Sequence, residues 1–158
     1  ATTTSTYDPA GNTLTRKDPN GVTTPWTYTP LDKTATVSYS GSSAHAVTYT
    51  YDADGNETGM TDATGSSSYG YDPFGELTAA TNGASQTIGY GYDADGNTTS
   101  ITYPLPATAT WATSSTVTYG YDHADMPTSI TDFNGNTTTI ASTADGQPDV
   151  GAHGIPQV

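Results

Sequence analysis

The side chains best placed for chemistry in this chain are Asp52-x-Asp54-x-Asn56 and Asp93-x-Asp95-x-Asn97, where oxygen ligands at alternate positions resemble the opening of a calcium loop. An EF-hand loop would need Gly at its sixth position and a bidentate Glu at its twelfth. Counting from Asp52 those positions hold Glu57 and Ala63, and counting from Asp93 they hold Thr98 and Pro104. The pattern therefore reads as turns in which Asp accepts hydrogen bonds from backbone N–H groups. The three histidines, His45, His123 and His153, lie far apart with no metal-ligand spacing, and there is no cysteine. A Ser-His-Asp triad has no G-x-S-x-G elbow to carry it. Spacing alone leaves a glycosidase-type carboxylate pair open, but every Asp already has a turn role. We expect no enzyme, no cofactor and no metal site. Trp26, Trp111 and the tyrosine rows are the candidate ligand-contact aromatics, able to stack on sugar rings. The competing reading is cross-strand packing, about 0.2–1 kcal/mol per pair. Asn56, Asn97 and Asn136 stand in N-x-Thr sequons, which leaves glycosylation open.

These residues recur with a period. Tyr51-Asp52-Ala53-Asp54-Gly55-Asn56 returns as Tyr92-Asp93-Ala94-Asp95-Gly96-Asn97. Looser copies begin at Tyr7 (with Asp8 and Gly11), Tyr71 (Asp72, Gly75) and Tyr121 (Asp122), and degenerate ones at Tyr28 and Ser142. The starts at 7, 28, 51, 71, 92, 121 and 142 lie 20 to 29 residues apart, a spacing that signals a repeat architecture. The array is expected to span residues 1–147. An insertion at 103–113 carries Trp111 as loop anchor or contact residue, and an irregular tail follows at 148–158.

Each unit reads as a β-hairpin. Val47-x-Tyr49-x-Tyr51, Ile88-x-Tyr90-x-Tyr92 and Val117-x-Tyr119-x-Tyr121 alternate with period two, as strands with one apolar face do. A turn follows each, with Gly55 or Gly96 supplying positive φ. The return strand is Thr98–Thr102 or Pro127–Thr131, ended by a second turn at Asp18–Gly21, Asp62–Gly65 or Asp132–Gly135. No segment has helical periodicity, so the fold class is all-β: tandem hairpins of about 21 residues in a continuous antiparallel sheet.

Composition narrows the partners. Only Arg16, Lys17 and Lys33 oppose sixteen acids, for a net charge of −13. That argues against nucleic acid and against anionic membranes. Leu, Ile, Val and Phe number only 17 while the tyrosines number twelve, so the buriable surface is largely aromatic. The Thr/Ser/Gly/Asp-rich, Lys-poor composition suggests an extracellular or cell-surface protein. No apolar run approaches the ~20 residues of a membrane span.

The repeated Tyr-Asp-x-x-Gly-Asn/Glu-x-Thr/Leu core, followed by Ile/Leu/Met-x-x-Asp-x-x-Gly, resembles the YD repeats of the Rhs family, found also in teneurins and insecticidal toxin complexes. The resemblance covers about residues 5 to 147. It implies a sheet strip that spirals into a hollow shell, which in the toxins encloses a C-terminal toxic domain. Within these 158 residues we expect neither the family's closing plug and self-cleaving aspartate segment nor its toxin domain. It is expected to be a segment of such a shell or a short relative that assembles differently. The expected function is structural, with other YD repeats of the same or neighbouring chains as partners and an enclosed cargo domain or a surface glycan as further ones. The alternatives are a self-assembling extracellular fibre subunit and a carbohydrate-binding adhesin module.

Overall fold

The computed structural model describes residues 2–39, 46–105 and 115–141. Over these residues the chain forms thirteen strands, antiparallel wherever their register is defined. Strand order equals chain order in one sheet, β1 to β13, and β1 and β13 are its outer strands. The chain divides into two compact units, residues 1–87 and 88–158.

The first unit holds β1 (Thr4–Tyr7), β2 (Thr13–Lys17), β3 (Thr23–Tyr28), β4 (Thr34–Ser38), β5 (Ala46–Tyr51), β6 (Glu57–Asp62), β7 (Gly65–Tyr71) and β8 (Leu77–Thr81). β9 (Thr87–Tyr92) begins at the boundary. The second unit continues with β10 (Thr98–Thr102), β11 (Thr116–Tyr121), β12 (Pro127–Thr131) and β13 (Thr137–Thr139). Every odd-numbered strand from β1 to β11 ends on the tyrosine of a repeat, including Tyr28 of the degenerate copy.

Alternation gives each unit two unlike faces, because paired residues point the same way. In the first unit one face carries the cross-strand rows Trp26–Val37–Val47 and Tyr49–Met60. In the second it carries Tyr90–Ile101–Val117 and Tyr119–Ile130. The other face is hydroxylated. Thr27, Thr36, Thr48, Thr61 and Ser66 line up across five strands of the first unit. Direct hydroxyl pairs on it include Thr27–Thr36 at 2.6 Å and Thr61–Ser66 at 2.9 Å. A single layer of this kind encloses almost nothing. Among the described residues Val37, at 5% exposure, is the one buried apolar side chain.

All six hairpins that begin with a tyrosine-ended strand share a β-bulge. The register passes over the second residue of the return strand: Leu14, Ala35, Thr58, Thr78, Thr99 and Thr128. Such an extra residue sharpens the local twist of the strand pair. Beside the bulge, Gly91 faces Ser100 and Gly120 faces Ser129. A Cβ on either glycine would lie 2.5 Å from the serine Oγ, so the hydroxyl would have to turn away to admit a side chain.

One turn differs from the rest. Asp62 and Gly65 are themselves cross-strand partners, leaving a two-residue loop, and Gly65 adopts φ +140°. A Cβ on Gly65 would sit 3.1 Å from the backbone of Gly83. Gly65→Ala is therefore expected to destabilise the chain by more than about 1 kcal/mol. Thermal melts by circular dichroism check this, and an unchanged midpoint would contradict it.

Candidate functional site

The aspartate of each repeat organises its turn through its own carboxylate. Asp52 Oδ1 accepts the N–H groups of Asp54 (3.0 Å) and Asn56 (2.9 Å), while Asn56 Nδ2 donates to Oδ2 (3.0 Å). The Asp52 backbone N–H donates to the Asn56 carbonyl, and the Gly55 N–H donates to the Asp52 carbonyl. Gly55 sits at φ +86°, a conformation glycine reaches without steric cost. Asp93, with Asp95, Gly96 and Asn97, repeats this arrangement bond for bond. Asp72 and Asp122 make the same pair of backbone contacts, to Phe74 and Glu76 and to Ala124 and Met126. Asp8 clamps Asn12 at 2.8 and 3.0 Å, with Gly11 at φ +93°. Gly75 and Gly96 are likewise at positive φ.

The same turn also closes the opposite ends of hairpins, at Asp18, Asn82 and Asp132. In the degenerate copy at Tyr28, Thr29 Oγ1 replaces the carboxylate, at 3.2 Å from both Leu31 N and Lys33 N. Asp32 and Asp125 replace the glycine, at φ +55° and +59°. These two are not merely tolerated. Asn12 Nδ2 donates to Asp32 Oδ1 at 2.9 Å, and Asn97 Nδ2 donates to Asp125 Oδ1 at 2.7 Å. Each links its turn to the preceding one.

The tyrosines act between repeats. Tyr28 Oη donates to the Thr13 carbonyl at 2.9 Å, Tyr51 to Thr34 at 2.9 Å and Tyr121 to Thr98 at 3.0 Å. Each acceptor is the first residue of a return strand, beyond the reach of the next strand's register. The hydroxyl thus supplies the donor that a ladder would otherwise provide. Burial, foremost, raises the Tyr49, Tyr51 and Tyr71 hydroxyls above their ordinary value of 10.0, so they stay protonated. Tyr7, at the first strand, is 61% exposed.

Of the two tryptophans, Trp26 packs half-buried across from Val37 and lines two grooves, one with Tyr7, Arg16 and Tyr28 and one with Val22 and Tyr39. Trp111, most of the insertion, and the seventh copy at Ser142 lie outside the described residues. At the neck of that insertion Tyr103 N–H donates to the Ser115 carbonyl at 2.8 Å. The Tyr103 ring meets Phe133 edge-on at 5.5 Å. All three sequon amides are engaged by turn aspartates, Asn56 by Asp52, Asn97 by Asp93 and Asn136 by Asp132. Among the described residues no three His, Cys, Asp or Glu side chains gather as a metal site would require.

The bulge, the tyrosine latch and the inter-turn Asn–Asp bonds escaped the reading of the sequence. The Asn at 12 and 97 followed one repeat later by Asp in the glycine position was the available signal.

The fold and its turns define a tandem hairpin-repeat sheet protein. The RHS repeat model matches residues 51–87, 71–108 and 92–137, together more than half of the chain, which therefore belongs to the RHS repeat family. No curated protein matches it. Among solved structures, a crystal structure of TcdB2-TccC3-Cdc42 is similar over 89% of this chain, with TM-score 0.64 and 21% identity. The Tc holotoxin pore of Photorhabdus luminescens with a TccC3 mutation is similar over 92%, with TM-score 0.66 and 22% identity. TcdB2-TccC3 without its hypervariable C-terminal region gives 89%, 0.64 and 21%. In each case the match covers 8% of the other chain. At these identities the likeness is one of fold.

Two predictions follow from the turn and the latch. Tyr51→Phe removes the donor to Thr34 and should cost about 0.5–1.5 kcal/mol in urea unfolding; no loss would show that the latch adds nothing. Among the described residues, six aspartates are held below the usual 3.8. The Asn12 side chain does this for Asp8, that of Asn56 for Asp52, Thr64 for Asp62 and Asn136 for Asp132. The Glu76 and Asn97 backbone N–H groups do it for Asp72 and Asp93. Because the folded values lie below the unfolded one, this stabilisation is complete above about pH 4 and is lost as pH falls through the folded values. Stability measured at descending pH should fall in that window. Asp52→Asn, which copies the Asn82 turn, should fall less steeply.

Proposed function

We propose that this chain is a wall segment of an Rhs-type β-sheet shell in a secreted or surface toxin-delivery protein, with a structural and non-enzymatic role. The observation that carries the reading is the uncovered aromatic face: among the described residues these strands leave one apolar side chain buried, so the face requires other polypeptide over it. Further YD repeats, of the same or a neighbouring chain, are the natural cover for the outer strands β1 and β13, and an enclosed cargo domain is the natural cover over the face. The similarity to Tc toxin structures over about nine-tenths of this chain, against 8% of theirs, supports a part-to-whole relation. An extracellular location fits the composition. The repeat residues Tyr7, Asp8, Gly11, Tyr51, Asp52, Gly55, Tyr71, Asp72, Gly75, Tyr92, Asp93, Gly96, Tyr121 and Asp122 are the working parts of this role, as turn and latch.

A fibre is the second reading, favoured by the open outer strand β1, whose four residues are all exposed. The packing of Trp26 against Val37 speaks for anchoring over glycan contact. Light scattering and negative-stain electron microscopy of the chain separate the two. A soluble species without filaments, binding an apolar dye through its bare face, is the outcome expected of a shell segment. Ordered filaments would replace that reading with the fibre.

A further inference from the structure

Three Asn-Gly steps occur, at Asn20, Asn82 and Asn134. The fold treats their amides in two ways. Asn82 opens its turn: its Oδ1 accepts Ala84 N and Gln86 N, both at 3.0 Å, and its Nδ2 donates to Gln86 Oε1 at 3.1 Å. The following Gly83 packs against the backbone of Gly65. Asn20 and Asn134 instead stand third in their turns. Their backbone N–H groups donate to Asp18 and Asp132 at 2.9 Å, while their exposed side-chain amides make no hydrogen bond within the described residues.

We infer that Asn20 and Asn134 are sites of spontaneous deamidation and that the fold protects Asn82. The amide nitrogen of Gly21 or Gly135, unshielded by any side chain, attacks the Asn Cγ and gives up its proton. The Cγ–Nδ2 bond breaks, ammonia leaves, and a five-membered succinimide remains. Water then opens the ring at either carbonyl to give aspartate or isoaspartate, with no change of oxidation state. Attack requires the Gly21 N–H to leave the Asp18 carbonyl (3.0 Å), and Gly135 to leave Asp132 (3.0 Å), an opening available to a surface turn. At Asn82 the turn's backbone bond comes from Ser85 N–H rather than from Gly83, and the barrier is instead the carboxamide, which must abandon three hydrogen bonds of its own.

The two products differ in consequence. Aspartate in this place is already part of the molecule, since Asp54-Gly55 and Asp95-Gly96 occupy the same third and fourth turn positions. Isoaspartate inserts a methylene into the backbone and pulls the glycine N–H away from its acceptor. Each event adds a negative charge to a chain already at −13.

Peptide mapping by mass spectrometry, after incubation at mildly alkaline pH with and without urea, tests this. In the folded chain the amide-to-acid mass gain should accumulate several-fold faster at Asn20 and Asn134 than at Asn82, and in urea the three rates should converge. Asn134→Asp should melt like the parent, while material enriched in isoaspartate should melt lower. Conversion of Asn82 as fast as the others in the folded chain would overturn the inference. So would Asn20 and Asn134 staying intact when folded while converting in urea.

Discussion

A sheet one layer thick has no core to hold it, so each hairpin depends on what it shares with its neighbours. Here the shared element is the carbonyl that opens a return strand, as at Thr13, Thr34 and Thr98. The bulge carries that carbonyl past the reach of the next strand's ladder, and the tyrosine of the following repeat donates to it, as Tyr28 does to Thr13 and Tyr121 to Thr98. Without the hydroxyl the same geometry would leave a half-buried acceptor unmatched. The tyrosine closes its own strand and latches the preceding hairpin, and that double role explains why it recurs where other aromatic residues do not.

The turns show how much variation such a scheme tolerates. The first position requires only a short side chain with an acceptor, so Asp, Asn82 and Thr29 all serve, the hydroxyl at longer distances. The fourth requires positive φ, which glycine supplies freely and which Asp32, Ser85 and Asp125 also adopt. At Asp32 and Asp125 the strain coincides with a bond from the Asn of the preceding turn, so the loss of glycine is matched by a link between repeats. Copies that look degraded in one dimension are joined more firmly in three.

Much of this fold was legible from local pattern. Thr98–Thr102 and Pro127–Thr131 form as strands with the limits their alternation suggests, and the Asp-to-N–H capping of Asp52 and Asp93 follows from side-chain length alone. Less legible was the bulge. Thr99 and Thr128 continue a run of Thr and Ser in which an extra residue leaves no mark on the pattern. The candidate contact residue Trp26 was legible as an aromatic but not as a neighbour of Val37, because their pairing depends on a register set by the turn between them.

By itself the sequence determined the succession of hairpins, the polarity of the two faces and the identity of the capping residues. These depend on period-two alternation and on contacts within about five residues. Only the tertiary structure decided where the register slips, which carbonyl each tyrosine hydroxyl meets and which turns are tied together. Those bonds join residues 15 to 28 positions apart, and a one-residue bulge redirects all of them at once.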